Sequence, residues 1–135
     1  MTFNEAVALQ PTWVNIWVNI LFLGAFITPF SLFIWRETRM LALITLLASF
    51  LAAFGIFALY AQVGYVKLLG LPHLILWIPL LVYHTRQLRR PDLSAWPRRI
   101  LLFIMTVIAI SLVFDIYDVL SYLLGNRTPF PGTAP

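Results

Sequence analysis

The chain has 135 residues, of which 61% are hydrophobic and only 10% charged, and it has no cysteine. A soluble domain carries about 25% charged residues, and a fold of this length cannot bury so much apolar surface, so a soluble globular class is excluded. Without cysteine there are no disulfides, no cysteine-ligated zinc, no iron–sulfur cluster and no thiol chemistry. The net charge of +4 does not imply a nucleic-acid partner. The basic residues gather mainly in one short segment between two apolar runs, where the positive-inside rule accounts for them.

Four apolar runs, at about 13–35, 40–62, 68–85 and 100–124, are each near or above the ~18–20 residues that cross a bilayer. They predict an all-α integral membrane protein, a four-transmembrane-helix bundle forming one domain over 1–127, with a disordered tail at 128–135. Before the first run stands Glu5 and no Lys or Arg. The basic n-region of a secretory signal peptide is therefore missing, and no such peptide is expected.

The first span begins after Pro11, with Thr12 as its expected N-cap. Trp13, Trp17 and Trp35 lie near its ends, as an interfacial aromatic belt requires. Pro29 lies inside it and is expected to kink it or free a carbonyl. Asn15 and Asn19 are four apart and share one face. After the turn Arg36-Glu37-Thr38-Arg39, the second span is rich in small residues. Ala48/Ala52 and Ser49/Ala53 fit the small-xxx-small spacing that lets helices approach closely in lipid.

The third span is the unusual one. It contains Pro72 and Pro79. With Pro72 as first helical residue, about 14 residues remain before Arg86, or roughly 21 Å of helix against a ~30 Å hydrocarbon core. A short, proline-interrupted helix is expected, broken, tilted or preceded by an interfacial piece. Residues 85–99 then read as a long interfacial strap containing Arg86, Arg89, Arg90, Arg98, Arg99, Asp92 and Trp96. The fourth span ends at Gly125-Asn126, a helix stop, and Phe130 is the one expected anchor of the tail.

Of the nine Lys and Arg residues, seven lie in the first and third connections, and only Lys67 and Arg127 on the other side. The positive-inside rule thus places both termini outside and the arginines in the cytoplasm, suiting a bacterial inner or plasma membrane. In that topology Asp115 and Asp118, His73, and Asn15 and Asn19 all fall in the outer half of the bilayer, flanked by Lys67 and Arg127. Ser111, Asp115, Asp118 and Tyr122 form one helical stripe, as do His73, Trp77, Leu80 and His84. Polar groups in lipid turn inwards, so a polar pocket among spans one, three and four is expected, with Asp115, Asp118, His73, Asn15 and Asn19 as its candidate ligand- or proton-binding residues.

A structural role would pair the carboxylates with Lys67, Arg127 or His73. A proton pathway would use carboxylates and histidine that titrate in a low dielectric. A metal site is disfavoured because both carboxylates come from one turn and no HxxxH or ExxH spacing occurs. Haem is disfavoured because His73 and His84 lie at opposite membrane sides. Nucleotide-binding, GxSxG and HExxH motifs are absent. The expectation is a non-enzymatic subunit or accessory factor of a membrane complex, with no cofactor or metal, its partners being the lipid bilayer and other membrane subunits or further copies of itself. The alternative is a homo-oligomeric transporter or proton-coupled channel.

Overall fold

The computed structural model describes residues 1–133. Its helices are α1 (Phe3–Ala8), α2 (Thr12–Phe22), α3 (Thr28–Ser31), α4 (Arg39–Val63), α5 (Leu71–Leu88) and α6 (Ala95–Leu123). Among the described residues there is no strand. Four helical stretches are long and apolar enough to cross a membrane: Thr12–Ser31, Arg36–Val63, Lys67–Leu88 and Ala95–Leu123.

The first span differs from a plain helix because of Pro29. Proline has no N–H to give the carbonyl four residues back. The chain widens just before it into a π-helical turn, Leu23–Ile27. The Thr28 hydroxyl and backbone N–H both donate to Leu23 O, the hydroxyl at 2.8 Å. The same turn holds Gly24 against α6. A Cβ on Gly24 would lie 2.9 Å from Val107 Cγ1, so only glycine allows this approach. The helix ends at Ser31, short of the expected Trp35. Beyond it the buried Thr38 hydroxyl donates to Leu32 O at 2.7 Å and fixes the turn into α4. At the other end Pro11, not Thr12, is the N-cap. Its extended backbone (φ −53°, ψ 153°) turns the chain into the helix, and its carbonyl accepts from Val14 and Asn15.

α4 is apolar all round, as a helix with lipid on one side and protein on the other must be. Its inward face combines the small residues Ala42, Thr45, Ser49 and Ala52 with Leu41 and Leu46. Large residues such as Leu43, Leu47, Phe50 and Phe54 face outwards. A 3₁₀ turn, Lys67–Gly70, precedes α5. Pro72 lies in the first turn of α5 and Pro79 inside it.

The arginine segment is wound into helix ends. α5 continues to Leu88 and α6 starts at Ala95, so the irregular part is only 89–94. Ser94 is the N-cap and Pro97 falls in the first turn of α6, where a missing N–H costs no hydrogen bond. Arg90 Nη1 donates to Glu37 O at 2.7 Å, and Arg98 Nη1 donates to Leu88 O at 2.7 Å. These bonds join α6 and the Arg36–Thr38 turn to the end of α5.

The opposite end gathers both termini and the connection between α4 and α5. Thr2 and Glu5 form a capping box on α1. The Phe3 ring packs edge-on to Phe57, Tyr60 and Tyr65. Tyr60 donates to Met1 O at 2.6 Å. From the tail, the Phe130 N–H donates to Tyr65 O at 3.0 Å, and Gln10 Nε2 donates to Pro131 O at 3.4 Å. The tail expected to be disordered is thus described as far as residue 133, and residues 134–135 lie outside the described residues. The buried core between the two ends includes Trp77, Leu80, Leu101, Ile104 and Ile108.

Candidate functional site

Asp115 sits two turns from the end of α6, where the 3₁₀ turn before α5 crosses it. The crossing is tight. A Cβ on Gly70 would meet Asp115 Oδ1 at 2.8 Å and Asp115 Cα at 3.1 Å. A glycine therefore lets the turn lie on the α6 backbone, and one turn later His73 comes level with the carboxylate. His73 Nδ1 lies 3.0 Å from Asp115 Oδ2, with the two side chains 13% and 15% exposed. The Ser111 hydroxyl donates to the same Oδ2 at 3.3 Å. Two protein partners on one carboxylate oxygen offset the cost of placing that charge in apolar surroundings.

Asp118 is served separately. Lys67 Nζ lies 4.0 Å from its Oδ1 and 5.4 Å from the centre of the Tyr117 ring. Tyr65, in the connection just before Lys67, has its phenol pushed up to about 12 by burial and, secondarily, by the Asp118 charge. Arg127 makes no carboxylate pair among the described residues. It stacks on the Tyr122 ring at 5.0 Å and donates to Tyr122 O at 3.4 Å.

The asparagines of α2 do not join this cluster. Asn15 Nδ2 donates to Gln10 O at 3.0 Å, and Asn19 Nδ2 to Asn15 O at 2.9 Å. A short amide finds a carbonyl close by in its own chain, within α2 for Asn19 and just before it for Asn15, more cheaply than a partner on another helix. The polar site lies between the Lys67–Gly70 turn, α5 and α6, without α2.

The polar groups continue towards the arginine end. The His73 ring stacks on Trp77, with centroids 4.1 Å apart and planes 5° from parallel. Trp77 Nε1 donates to Ser49 Oγ at 3.3 Å. Thr45, one turn from Ser49 on α4, lies 2.8 Å from His84 Nε2. His84 is fully buried, and its Nδ1 has no partner. Thr45 and Ser49 were legible as one face of α4, because they are the only threonine and serine in that helix and stand four apart. By size alone they read only as small packing residues.

Two cavities lie elsewhere. One of about 290 Å³ is lined by Trp13, Ile16, Trp17, Ile20, Ile110 and Phe114. The other, of about 420 Å³, lies under the tail beside Met1, Tyr60 and Tyr65. His73, Asp115 and Asp118 line neither. No family model, curated protein or solved structure matches this chain.

Proposed function

We propose that this chain is a non-enzymatic subunit or accessory factor of a membrane complex, in the inner or plasma membrane of a bacterium. Both termini and the Lys67 connection face outside, and the arginine end faces the cytoplasm, as the distribution of Lys and Arg favours. Pro79 removes one backbone donor inside the third span, as Pro29 does in the first. The observation that carries the functional reading is that each of the two carboxylates has a partner within the chain, Asp115 hydrogen-bonded to His73 and Ser111 and Asp118 with Lys67 4.0 Å away. Groups matched this way fasten helices together. Structural ion pairs of this kind occur away from active sites as well as in them, and with their partners within the chain these carboxylates do not converge on a cavity. No cofactor or metal takes part in this role.

The test is native mass spectrometry of the chain extracted in mild detergent from its own membrane. A different membrane protein at fixed stoichiometry supports the subunit role. A closed homo-oligomer with proton flux in proteoliposomes, abolished by Asp115→Asn, refutes it and establishes the alternative, a proton-coupled channel or transporter. The observation favouring that alternative is the series Asp115, His73, Trp77, Ser49, Thr45, His84 within the bundle. Its weak point is Trp77, whose indole donates a hydrogen bond but accepts none and so does not relay a proton.

A further inference from the structure

The seven arginines at one end of the bundle divide into two kinds. Arg90 and Arg98 are used up internally. Arg90 binds Asp92 through Nε at 3.0 Å and Nη2 at 2.7 Å, and Glu37 O through Nη1. Arg98 reaches the carbonyls of Leu88 and Arg90. Arg39 Nε donates to Phe33 O at 3.1 Å. Among the described residues Arg36, Arg86, Arg89 and Arg99 have neither an ion pair nor a side-chain hydrogen bond, and all four are exposed. Arg99 lies over the ring of Trp96, 5.2 Å from its centre, and Trp96 is itself 64% exposed. With only Glu37 and Asp92 to oppose seven arginines, this end carries a net charge of +5.

We propose that Arg36, Arg86, Arg89 and Arg99, with Trp96, form a binding surface for the phosphate headgroups of anionic phospholipids, which Arg90 and Arg98 hold in shape. The bonded arginines place the free ones. Arg36 adjoins Glu37, Arg89 adjoins Arg90 and Arg99 adjoins Arg98, so the contacts that join three elements also fix where the free guanidinium groups begin.

What selects lipid over a soluble anion is the surface immediately below. Exposed Ile34, Met40, Val82, Leu102 and Phe103 lie within about one helical turn of the free arginines, roughly 5.4 Å along each axis. In a bilayer those residues meet acyl chains. The headgroups of the same lipids then stand level with the arginines, whose stems extend along the apolar surface while the charge stays at the interface. A guanidinium fork presents two parallel N–H groups to two phosphate oxygens. A tryptophan at that depth is an interfacial anchor.

The experiment uses the full chain, delipidated in mild detergent and titrated with phosphatidylglycerol or phosphatidylcholine, with bound lipid read by native mass spectrometry. Phosphatidylglycerol is expected to bind more tightly, with an affinity that falls as salt rises. Arg89→Gln alone should weaken it about fivefold, and Arg36→Gln, Arg86→Gln and Arg89→Gln together by more than tenfold. Arg89→Lys, which keeps the charge, should lose less than Arg89→Gln. Arg127→Gln, at the opposite end of the bundle beside Tyr122, serves as the counter-case, with phosphatidylglycerol affinity near wild type. Arg90→Gln, which frees the Glu37 carbonyl and Asp92, should instead lower both the melting temperature and the phosphatidylglycerol affinity. Equal binding of the two lipids would overturn the proposal, as would unchanged affinity in the folded triple variant. Displacement of the lipid by inorganic phosphate at matched ionic strength would reassign the site to free phosphate. An acidic protein retained in place of lipid, and released by the same triple variant, would reassign it to a protein partner.

Discussion

Gly70→Ala tests the site at its tightest point, and the sign of the effect is the decisive result. Gly70 has φ −72° and ψ −13°, a conformation alanine adopts freely. On backbone grounds alone the substitution stabilises by about 0.4–1 kcal/mol, because it narrows the unfolded ensemble. Packing opposes this. The new methyl would lie 2.8 Å from Asp115 Oδ1, 3.0 Å from Asp115 Cβ and 3.1 Å from Asp115 Cα. The last two belong to a helix that cannot yield locally, so the turn must move off α6 by several tenths of an ångström. Forcing a methyl into a filled interior costs about 1–3 kcal/mol. The same movement stretches the 3.0 Å His73–Asp115 contact, and a hydrogen bond between helices in lipid contributes about 0.6 kcal/mol on average. The net expectation is a destabilisation of about 1–2 kcal/mol, read as a lower midpoint in denaturant or a melting temperature lower by a few degrees in the same detergent. A variant as stable as wild type, or more so, would mean that the turn does not lie on α6 as described.

Gly24→Ala should cost a similar amount, about 1–3 kcal/mol, because its Cβ meets Val107. Adding Val107→Ala should return part of that loss, and strictly additive losses in the four-variant cycle would rule out the contact. Thr45 and His84 should respond unequally. Without His84, the Thr45 hydroxyl can turn to the carbonyl one helical turn back. Without Thr45, the fully buried His84 has no partner on either ring nitrogen. Thr45→Val should therefore destabilise by about 1–3 kcal/mol and His84→Leu by less, and the reverse order would contradict the pairing. Asp92 is held below the usual carboxylate range by the Arg90 side-chain hydrogen bond. Its folded-state pKa is depressed, so its contribution is present above the ordinary carboxylate range and is lost as pH falls through the lowered value. Protection factors of the amides within 89–94, taken against the intrinsic exchange rate at each pH, should fall on that acid limb, and Arg90→Gln should remove the transition.

What the sequence made legible follows the physics of each signal. Four spans could be counted because hydropathy integrates over ~20 residues and tolerates local irregularity. Helix ends could not be placed that way. Hydropathy marks where charge begins, whereas a helix ends where its backbone bonds are capped. α5 and α6 therefore run past Thr85 and begin before Ile100, with Ser94 as the cap. Proximity of His73 to Asp115 and of Lys67 to Asp118 follows from alternating span directions, which put these residues at one depth. Asn15 and Asn19 lie at that depth too, but depth does not supply the direction of a side chain. For these short amides the carbonyl bonded is a near neighbour in sequence, Gln10 O for Asn15 and Asn15 O for Asn19.

The polar groups of α4 show why the remainder was hidden. Thr45 and Ser49 are buried, yet in an apolar span a hydroxyl and an alanine meet the same packing requirement, which is smallness at a close crossing. Which of them also makes a hydrogen bond depends on what α5 presents. α5 presents Trp77 to Ser49 and His84 to Thr45, seven residues and about two turns apart. The partners are complementary only once the register of α4 on α5 is known. Gly55 is a close point of that crossing, where a Cβ would meet Pro72 at 3.1 Å. A residue this small lets the two helices sit at the height at which the buried pairs meet. A larger residue at Gly55 should therefore disturb the Thr45–His84 bond from a distance of ten residues along α4, with no change to either partner. Gly55→Leu is expected to shift the histidine ring nitrogen resonances of His84, observed by ¹⁵N NMR in detergent. An unshifted spectrum from a folded Gly55→Leu variant would mean that the α4–α5 register is set elsewhere.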